Sequence, residues 1–296
     1  MIQTLLAFYR SASRPGRILP AATMALLACA TTPAFADHLE RHFVVSPRPV
    51  IMVHNPSGKL TIQSWSKREV MVIADHGSNE VGVEADQKGN LIEISTRILV
   101  QNARPENIRA DYTITVPQDA ELQVHDDAGT VQVIRVFGDT AVETQTAGVD
   151  LEDIGGYLNV RTVGGSVDCI RCNGRVVIES ISGNLRLLQG HSPSVRARTD
   201  RGSIFFDSDF VADGLYVLNN YSGPIELLFS PSDSVTLRAT SLRGQVNNEA
   251  GVTPLVRSPV RPSRYVQSIM SNINDGLAHV EVTSFNGTIN LNKRGE

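Results

Sequence analysis

Aromatic residues are scarce in this chain of 296 residues: Phe, Trp and Tyr together make up 5%, and Trp65 is the single tryptophan. Gly-x-Ser-x-Gly, the motif of many serine hydrolases, is absent, and no phosphate-loop lysine follows the glycine pair Gly164-Gly165. These absences argue against a serine hydrolase and against a nucleotide-phosphate site. We predict no catalytic residue, no cofactor and no metal site.

A basic surface is also lacking. The chain has 27 Lys and Arg against 31 Asp and Glu. Residues 1–36 contain three of the arginines and no acid, so the remainder keeps 24 basic residues and a net charge of −7. Nucleic-acid binding proteins present the opposite bias, and we therefore predict no nucleic-acid partner.

Residues 1–36 have the order of features found in a secretory signal peptide. The three arginines precede an apolar run at 18–30 that is short for a membrane span, and Ala34-Phe35-Ala36 supplies the small residues of a cleavage site. We therefore expect an exported protein of the periplasm or cell surface.

A second interpretation of the same segment stays open. Leu26-Leu27-Ala28-Cys29 resembles the lipobox of bacterial lipoproteins, in which Cys29 would be lipidated. Ordinary cleavage gives a soluble product and lipidation an anchored one, so membrane association is expected only in the second case.

Short repeats dominate the second half of the chain. A polar residue, two spacers and a glycine precede alternating apolar residues, as in Ser180-Ile181-Ser182-Gly183 before Leu185 and Leu187. The repeat glycines are residues 129, 148, 165, 183, 202, 223, 244 and 287. A second alternating stretch lies within each period, as at Val176 and Ile178.

Each period of about 18–21 residues therefore predicts two short strands. Such strands cannot bury an apolar face alone, so successive periods must stack. The fold class predicted is all-β: a β-solenoid-like stack of two-strand repeats, with a sandwich of hairpins as the alternative.

The turn chemistry leads to three expectations. The polar residue three places before each glycine, such as Ser180 or Gln145, should bond to the turn backbone, and the glycine should adopt a positive φ. The turn at Gly148 should be one residue shorter or bulged, because its apolar residues come one place early. The strand after Gly244 should be weak, because Asn248 occupies an inward position.

The ends of the stack differ from its middle. Residues 37–120 contain longer alternating stretches and are predicted to form an N-terminal β-meander that caps the repeat region, 121–296. Residues 249–275 carry Pro254, Pro259 and Pro262, which predicts a long surface loop.

The strand Tyr112–Pro117, followed by Gly129-Thr-Val-Gln-Val and the ladder of Ser/Thr-x-x-Gly turns, resembles the bacterial putative-adhesin domain family. This is a domain-of-unknown-function family of envelope proteins related to head GIN domains. The resemblance covers roughly residues 45–292 and implies an extracytoplasmic β-repeat protein. It supplies no active-site motif to carry over, and the insertion at 249–275 departs from the plain repeat.

Three groups of side chains are candidate sites. Cys169 and Cys172 are expected to form a local disulfide or to remain two thiols, because no further metal ligands are spaced to join them. The histidines are dispersed, and His38 and His42 are expected in a solvated tail. An arginine-bearing loop could meet an anionic partner through Arg257, Arg261 and Arg264.

Clustered carboxylates give the second hypothesis of function. They lie at Asp126-Asp127, at Asp150, Glu152 and Asp153, and at Asp207, Asp209 and Asp213. Paired acids could hydrolyse glycans, although solvated turn acids are the simpler interpretation.

The leading hypothesis is a non-enzymatic exported envelope protein: an adhesin-like structural or binding scaffold whose partners would be envelope glycans or other envelope proteins. The alternatives are a carbohydrate-active enzyme on a β-solenoid and a lipid-anchored envelope-stress component.

Overall fold

Apolar and polar residues alternate along most of the chain, and most of the backbone forms β-strands. Alternation suits strands because every second side chain of a strand points to the same face. The computed structural model describes residues 37–255 and 266–295. Its strands, in chain order, are β1 (Asp37–Val44), β2 (Val50–Trp65), β3 (Glu69–His76), β4 (Val81–Lys88), β5 (Leu91–Ile98), β6 (Ala110–Pro117), β7 (Glu121–Ile134), β8 (Thr140–Thr144), β9 (Gly148–Glu152), β10 (Tyr157–Thr162), β11 (Val167–Ile170), β12 (Arg175–Ser180), β13 (Leu185–Leu188), β14 (Ser194–Thr199), β15 (Ile204–Asp207), β16 (Leu215–Asn220), β17 (Ile225–Phe229), β18 (Val235–Ser241), β19 (Val246–Asn248), β20 (Gln267–Ile273), β21 (Ala278–Ser284) and β22 (Ile289–Lys293).

Helix is almost absent from the described part of the chain, which has a single 3₁₀ turn at Pro105–Asn107. No helix within 37–255 and 266–295 is long and apolar enough to cross a membrane.

The repeats stack in parallel, two strands to each rung. The first strands of successive rungs pair as β8–β10–β12–β14–β16, which we call the first row. The second strands pair as β9–β11–β13–β15–β17, the second row. Inward side chains of both rows, such as Val176 and Leu185, are almost fully buried and form one continuous core. The predicted all-β, solenoid-like stack is confirmed.

The N-terminal strands are connected differently from a simple meander. Only β4 and β5 form a hairpin of neighbouring strands, whereas β3 pairs antiparallel with both β1 and β6. The long strands β2 and β7 run parallel along nearly their whole length, with Gly58 opposite Gly129. In each strand the residues before the glycine lie in the first row and those after it lie in the second, so β2 and β7 are each one rung of the stack. On the other side of β2, its two halves pair in parallel with β5 and β6.

β1 corrects the expectation of a solvated tail. Its histidines lie on an edge strand, where His38 Nδ1 is 2.7 Å from the Asp75 carboxylate and His42 Nδ1 is 2.6 Å from that of Glu69. The hydrogen bond to Asp75 raises the pKa of His38, and hydrogen bonds to Glu40 and Glu69 raise that of His42. Pairing with β3, which the sequence pattern did not reveal, holds the segment in place.

The last repeat of the chain is not the last rung of the stack. β21 lies between β16 and β18, and β22 lies between β17 and β19. The order has a packing reason. β22 offers fully buried Ile289 and Leu291 to neighbours on both sides, whereas β19 has the half-exposed Asn248 at its inward position. The weak strand predicted after Gly244 therefore forms the end of the row.

Residues 249–275 are not one long loop. β20 falls within this range and pairs antiparallel with β18, so it covers the C-terminal edge of the first row. An added strand protects an edge that would otherwise expose unpaired backbone groups. Residues 256–265, which include two of the three prolines, lie outside the described residues.

At five turns the polar residue bonds to the turn backbone as predicted. The hydroxyl oxygens of Thr162, Ser180 and Thr199 are buried and accept the N–H of the glycine three residues later, at 2.7 to 3.1 Å. One assignment was wrong by a residue. Thr144, not Gln145, occupies this place, because Ala147 and not Gly148 stands in the glycine column.

The reason for glycine in that column differs from the predicted one. A Cβ at Gly183 would collide with the carbonyl oxygen of Gly165 on the rung before it, and one at Gly202 would collide with that of Gly183. Among the glycines of this column, only Gly58 and Gly129 have a positive φ. Close approach of consecutive turns therefore requires glycine at most rungs.

Positive φ occurs at a different corner of the rung. Arg135, Asp153, Arg171 and Gln189 follow the second-row strands of four consecutive rungs and have φ between 53° and 56°. Their N–H groups donate to carbonyls of the next rung, as from Arg171 to Leu188. These backbone hydrogen bonds offset the 1–2 kcal/mol or so that left-handed geometry costs a residue with a side chain.

Candidate functional site

The disulfide candidates lie inside the stack. Cys169 and Cys172 are joined by a disulfide with a Cα–Cα distance of 6.0 Å, and both residues are buried. They pack within the core and are not available to a ligand. Cys29 and the loop arginines Arg257, Arg261 and Arg264 lie outside the described residues.

Half of the eight clustered carboxylates are neutralised by a neighbouring arginine. Arg171 contacts Glu152 and Asp153, and its guanidinium lowers the pKa of Asp153. Arg294 donates to the carboxylates of Asp207, at 2.6 Å, and Asp209, at 3.1 Å. These acids are fixed at the outer corners of the rungs, as expected of structural turn residues.

Asp150 differs from these acids. It lies opposite Asp168 on the neighbouring strand, and its pKa is raised by burial and by the Asp168 charge. Arg186 lies 3.5 Å from the other side of Asp168 and compensates that carboxylate.

A groove on the first row brings together residues that the sequence left dispersed. It lies across four parallel strands, β5, β2, β7 and β8, and has a volume of about 540 Å³. We call it the β2–β7 groove. The outward side chains that line it are Glu93, Ser95, Met52, His54, Gln123, His125, Ala141 and Glu143.

Two stacked histidines occupy the centre of this groove. His54 and His125 are register partners on β2 and β7, and their rings lie 5.1 Å apart with an angle of 14° between planes. His125 is 3.7 Å from Glu143 and 3.6 Å from Asp127. His54 makes no hydrogen bond or ion pair with any other described residue, so its ring nitrogens are available to a ligand.

The carboxylates of the groove are compensated at its rim. Lys88 Nζ lies 2.6 Å from Glu93, and Arg161 lies 3.7 Å from Glu143. Arg161 also lies 3.6 Å from Glu179 on the next rung, so the ion pairs continue along the first row. Opposite charges on neighbouring strands stabilise a sheet by a few tenths of a kcal/mol to about 1 kcal/mol per pair.

A buried polar row lies directly beneath the groove. Thr96, Asn55 and Asp126 follow the groove residues Ser95, His54 and His125 in sequence, so their side chains point inward. Asn55 Nδ2 donates to Asp126 Oδ2 at 3.2 Å, and Thr96 Oγ1 donates to Asn55 Oδ1 at 3.0 Å. Tyr112 completes the row, with its hydroxyl 2.5 Å from that of Thr96.

Asp126 contradicts the expectation of a solvated acid. Its exposed fraction is 0%, its Oδ1 has no hydrogen-bond partner among the described residues, and burial raises its pKa to about 7. Burial also raises the pKa of Tyr112 to about 12. Every later rung has Thr, Ser or Asn at the equivalent place, so Asp126 is the one acid in an otherwise neutral ladder.

Sequence reasoning missed the histidine pair because its members are 71 residues apart. A signal was present: Asn55–Gly58 carries the same turn as Asp126–Gly129. Aligning the two turns would have placed His54 beside His125.

The described part of the chain contains no metal centre, either in the groove or elsewhere. No group of three or more His, Cys, Asp or Glu side chains within 37–255 and 266–295 could hold a metal ion.

Comparisons with known proteins do not identify a family for the chain. No protein-family model and no curated protein sequence matches the chain. It is similar to the crystal structure of a putative cell adhesion protein from Clostridium sporogenes, at 15% identity and a TM-score of 0.26 over 87% of this chain and 100% of that one. It is also similar to a putative adhesin from Bacteroides fragilis, at 11% identity and a TM-score of 0.40 over 87% and 97%. Both TM-scores are below 0.5, so membership of the family that the sequence resembles stays a prediction.

Proposed function

We propose that the chain is a non-enzymatic, adhesin-like binding scaffold of the bacterial cell envelope. The observation that carries this proposal is the β2–β7 groove, which is built from four strands of a rigid parallel stack. Parallel pairing fixes the groove side chains at strand spacing, about 4.8 Å apart, without any mobile loop. Rigid presentation of outward side chains suits recognition, because little conformational entropy is lost on binding.

The arrangement of acids supports binding over hydrolysis. A glycoside hydrolase needs two carboxyl groups that face one bound sugar across a separation of about 5 to 10 Å. In the β2–β7 groove, the two carboxylates Glu93 and Glu143 are each neutralised by a basic residue at the rim. Neither has the isolated, apolar surroundings of a general acid.

A binding assay with envelope fractions tests the proposal. The fragment 37–296 should sediment with isolated cell envelopes and leave their polysaccharides at unchanged length. A variant with both His54→Ala and Gln123→Ala should lose most of this binding. The variant Asn219→Ala should retain it, because Asn219 lies in the same outward column as His125 but five rungs away. Equal loss in both variants would contradict a site at the groove.

Export is the second part of the proposal, and it rests on the composition of residues 1–36. Mass spectrometry of the mature protein from its native host distinguishes the two modes of processing. A mature chain that begins at Asp37 indicates ordinary cleavage, whereas a diacylglycerol-modified Cys29 indicates a lipid anchor. An intact N-terminus at Met1 would contradict export.

One observation favours the alternative of a carbohydrate-active enzyme. Asp150 and Asp168 are neighbouring acids, and the raised pKa of Asp150 is a property of catalytic acids. If these residues were catalytic, Asp150→Asn would abolish cleavage of a polysaccharide by the purified protein. We expect no cleavage by the wild-type chain across neutral and acidic polysaccharides, and therefore no effect of the substitution.

A further inference from the structure

The charges in the β2–β7 groove limit the kind of ligand that it can bind. No lysine or arginine is among its lining residues. A phosphate, sulfate or uronate ligand would bring a negative charge next to Glu93 and Glu143 without an unpaired cation to receive it. Such a ligand loses its hydration and gains no compensating pair, which is unfavourable.

A cationic ligand is disfavoured for the complementary reason. The Glu93 carboxylate already accepts a hydrogen bond from Lys88 at 2.6 Å. Glu143 has Arg161 and His125 on either side, both within 3.7 Å. An ammonium group would have to displace these partners, so binding would exchange one ion pair for another.

The groove is, by contrast, rich in neutral hydrogen-bonding groups. The ring nitrogens of His54 have no partner among the residues that the structure describes, Gln123 offers an amide that both donates and accepts, and Ser95 offers a hydroxyl. The compensated carboxylates keep free lone pairs that can accept hydrogen bonds from hydroxyl groups. Met52, a residue that is 40% exposed, adds an apolar contact beside them.

We infer that the β2–β7 groove binds a neutral, hydroxyl-rich ligand, namely a segment of an uncharged glycan chain. A sugar ring has hydroxyl groups around its edge, which both donate and accept, and C–H groups on its faces, which suit Met52. This inference rests on the proposed binding function and names the ligand class of the same groove.

The dimensions of the site agree with a short stretch of glycan. Its volume of about 540 Å³ falls within the range of about 300–1,000 Å³ typical of small-molecule sites, enough for two or three sugar units. The outward columns continue past the groove through Asn159 and Arg161, so a longer chain could follow the first row. No Trp or Tyr is among the lining residues to stack on a ring, and we therefore expect a Kd on the order of 1 mM for one short segment.

Titration of the 37–296 fragment with defined trisaccharides tests the inference. The probes are the neutral chitotriose, cellotriose and maltotriose, the anionic trigalacturonic acid, and the cationic trimer of glucosamine. Imidazole and amide NMR signals report where each probe binds. We expect a neutral trimer to shift signals of His54, His125 and Gln123, and the charged trimers to bind at least fivefold more weakly.

Variants of the full fragment separate the site from the fold. Gln123→Ala should weaken binding of the neutral trimer at least fivefold, whereas Asn219→Ala should leave its Kd unchanged. Tighter binding of a charged trimer, or shifts confined to residues outside the groove, would overturn the inference. So would the absence of any shift with the neutral trimers at about ten times the expected Kd.

The same variants distinguish failure of this inference from failure of the proposed function. If no neutral trimer binds but the fragment still sediments with envelopes in a groove-dependent manner, the scaffold stands and the ligand class is wrong. If the fragment also fails to sediment with envelopes, the binding function itself is wrong.

Discussion

Replacing the buried acid Asp126 by asparagine should make the protein more stable, and more so at high pH. Asp126 is fully buried, and one of its carboxylate oxygens has no hydrogen-bond partner among the described residues. Burial raises its pKa from an ordinary value of 3.8 to about 7. The folded protein therefore binds the carboxyl proton of Asp126 more tightly than the unfolded chain does.

The sign and size of the effect follow from that difference. Stability falls as pH rises between the two pKa values, because the unfolded chain releases the proton first. At about 1.4 kcal/mol per pKa unit, the wild-type protein loses about 2 kcal/mol from this group by pH 5 and about 4 kcal/mol by pH 8. Asparagine has no charge to bury, so Asp126→Asn should avoid the loss.

Equilibrium unfolding in urea at pH 5 and pH 8 measures this prediction. The stability advantage of Asp126→Asn over wild type should be about 2–3 kcal/mol larger at pH 8 than at pH 5. Asp127→Asn is the matched control, since the side chain of Asp127 is one-third exposed and accepts a hydrogen bond from Gln145. An Asp126→Asn variant that keeps the pH dependence of the wild type, or an Asp127→Asn variant that alters it equally, would refute a buried Asp126 with a raised pKa.

Two further predictions concern the stack. Gly165→Ala should destabilise the protein by about 3 kcal/mol or more, because its Cβ would collide with the backbone carbonyl oxygen of Ala147 on the rung before it. Gly164→Ala is the control: a Cβ at Gly164 has its nearest neighbour at 3.6 Å. It should change the free energy of unfolding, measured in urea, by no more than about 0.5 kcal/mol. Reduction of the disulfide between Cys169 and Cys172, whose loop has a sequence separation of 3, should cost about 2 kcal/mol and lower Tm by about 4–8 °C without unfolding the stack. Complete unfolding on reduction would show that the core alone does not hold the rungs together.

Local features of the repeat could be predicted from the sequence because they recur in every period. Alternation located the paired strands, and the position of Ser180 relative to Gly183 predicted the hydroxyl-to-backbone hydrogen bond that the structure contains. The error at Gly148 arose where two small residues are adjacent. Only the pairing of Val149 with Val167 shows that Ala147 occupies the glycine column.

Features that depend on long-range pairing could not be predicted in this way. β21 and β22 lie inside the stack because their rung can bury apolar residues against neighbours on both sides. The sequence of one repeat does not show this, because it depends on how well the other rungs can do the same. The burial of Asp126 and the meeting of His54 with His125 both depend on the register of β2 against β7. The sequence shows the residues of the β2–β7 groove, and the pairing of strands far apart in the chain assembles them.

The central claim, a binding scaffold that does not alter its ligand, is tested most directly by one measurement on the wild-type fragment 37–296. The fragment is incubated with purified envelope polysaccharide while histidine imidazole signals are followed by NMR, and the polysaccharide is then sized by mass spectrometry. We predict that the signals of His54 and His125 shift and that the length of the polysaccharide is unchanged. Shortened polysaccharide, or shifts that spare both histidines, would contradict the account.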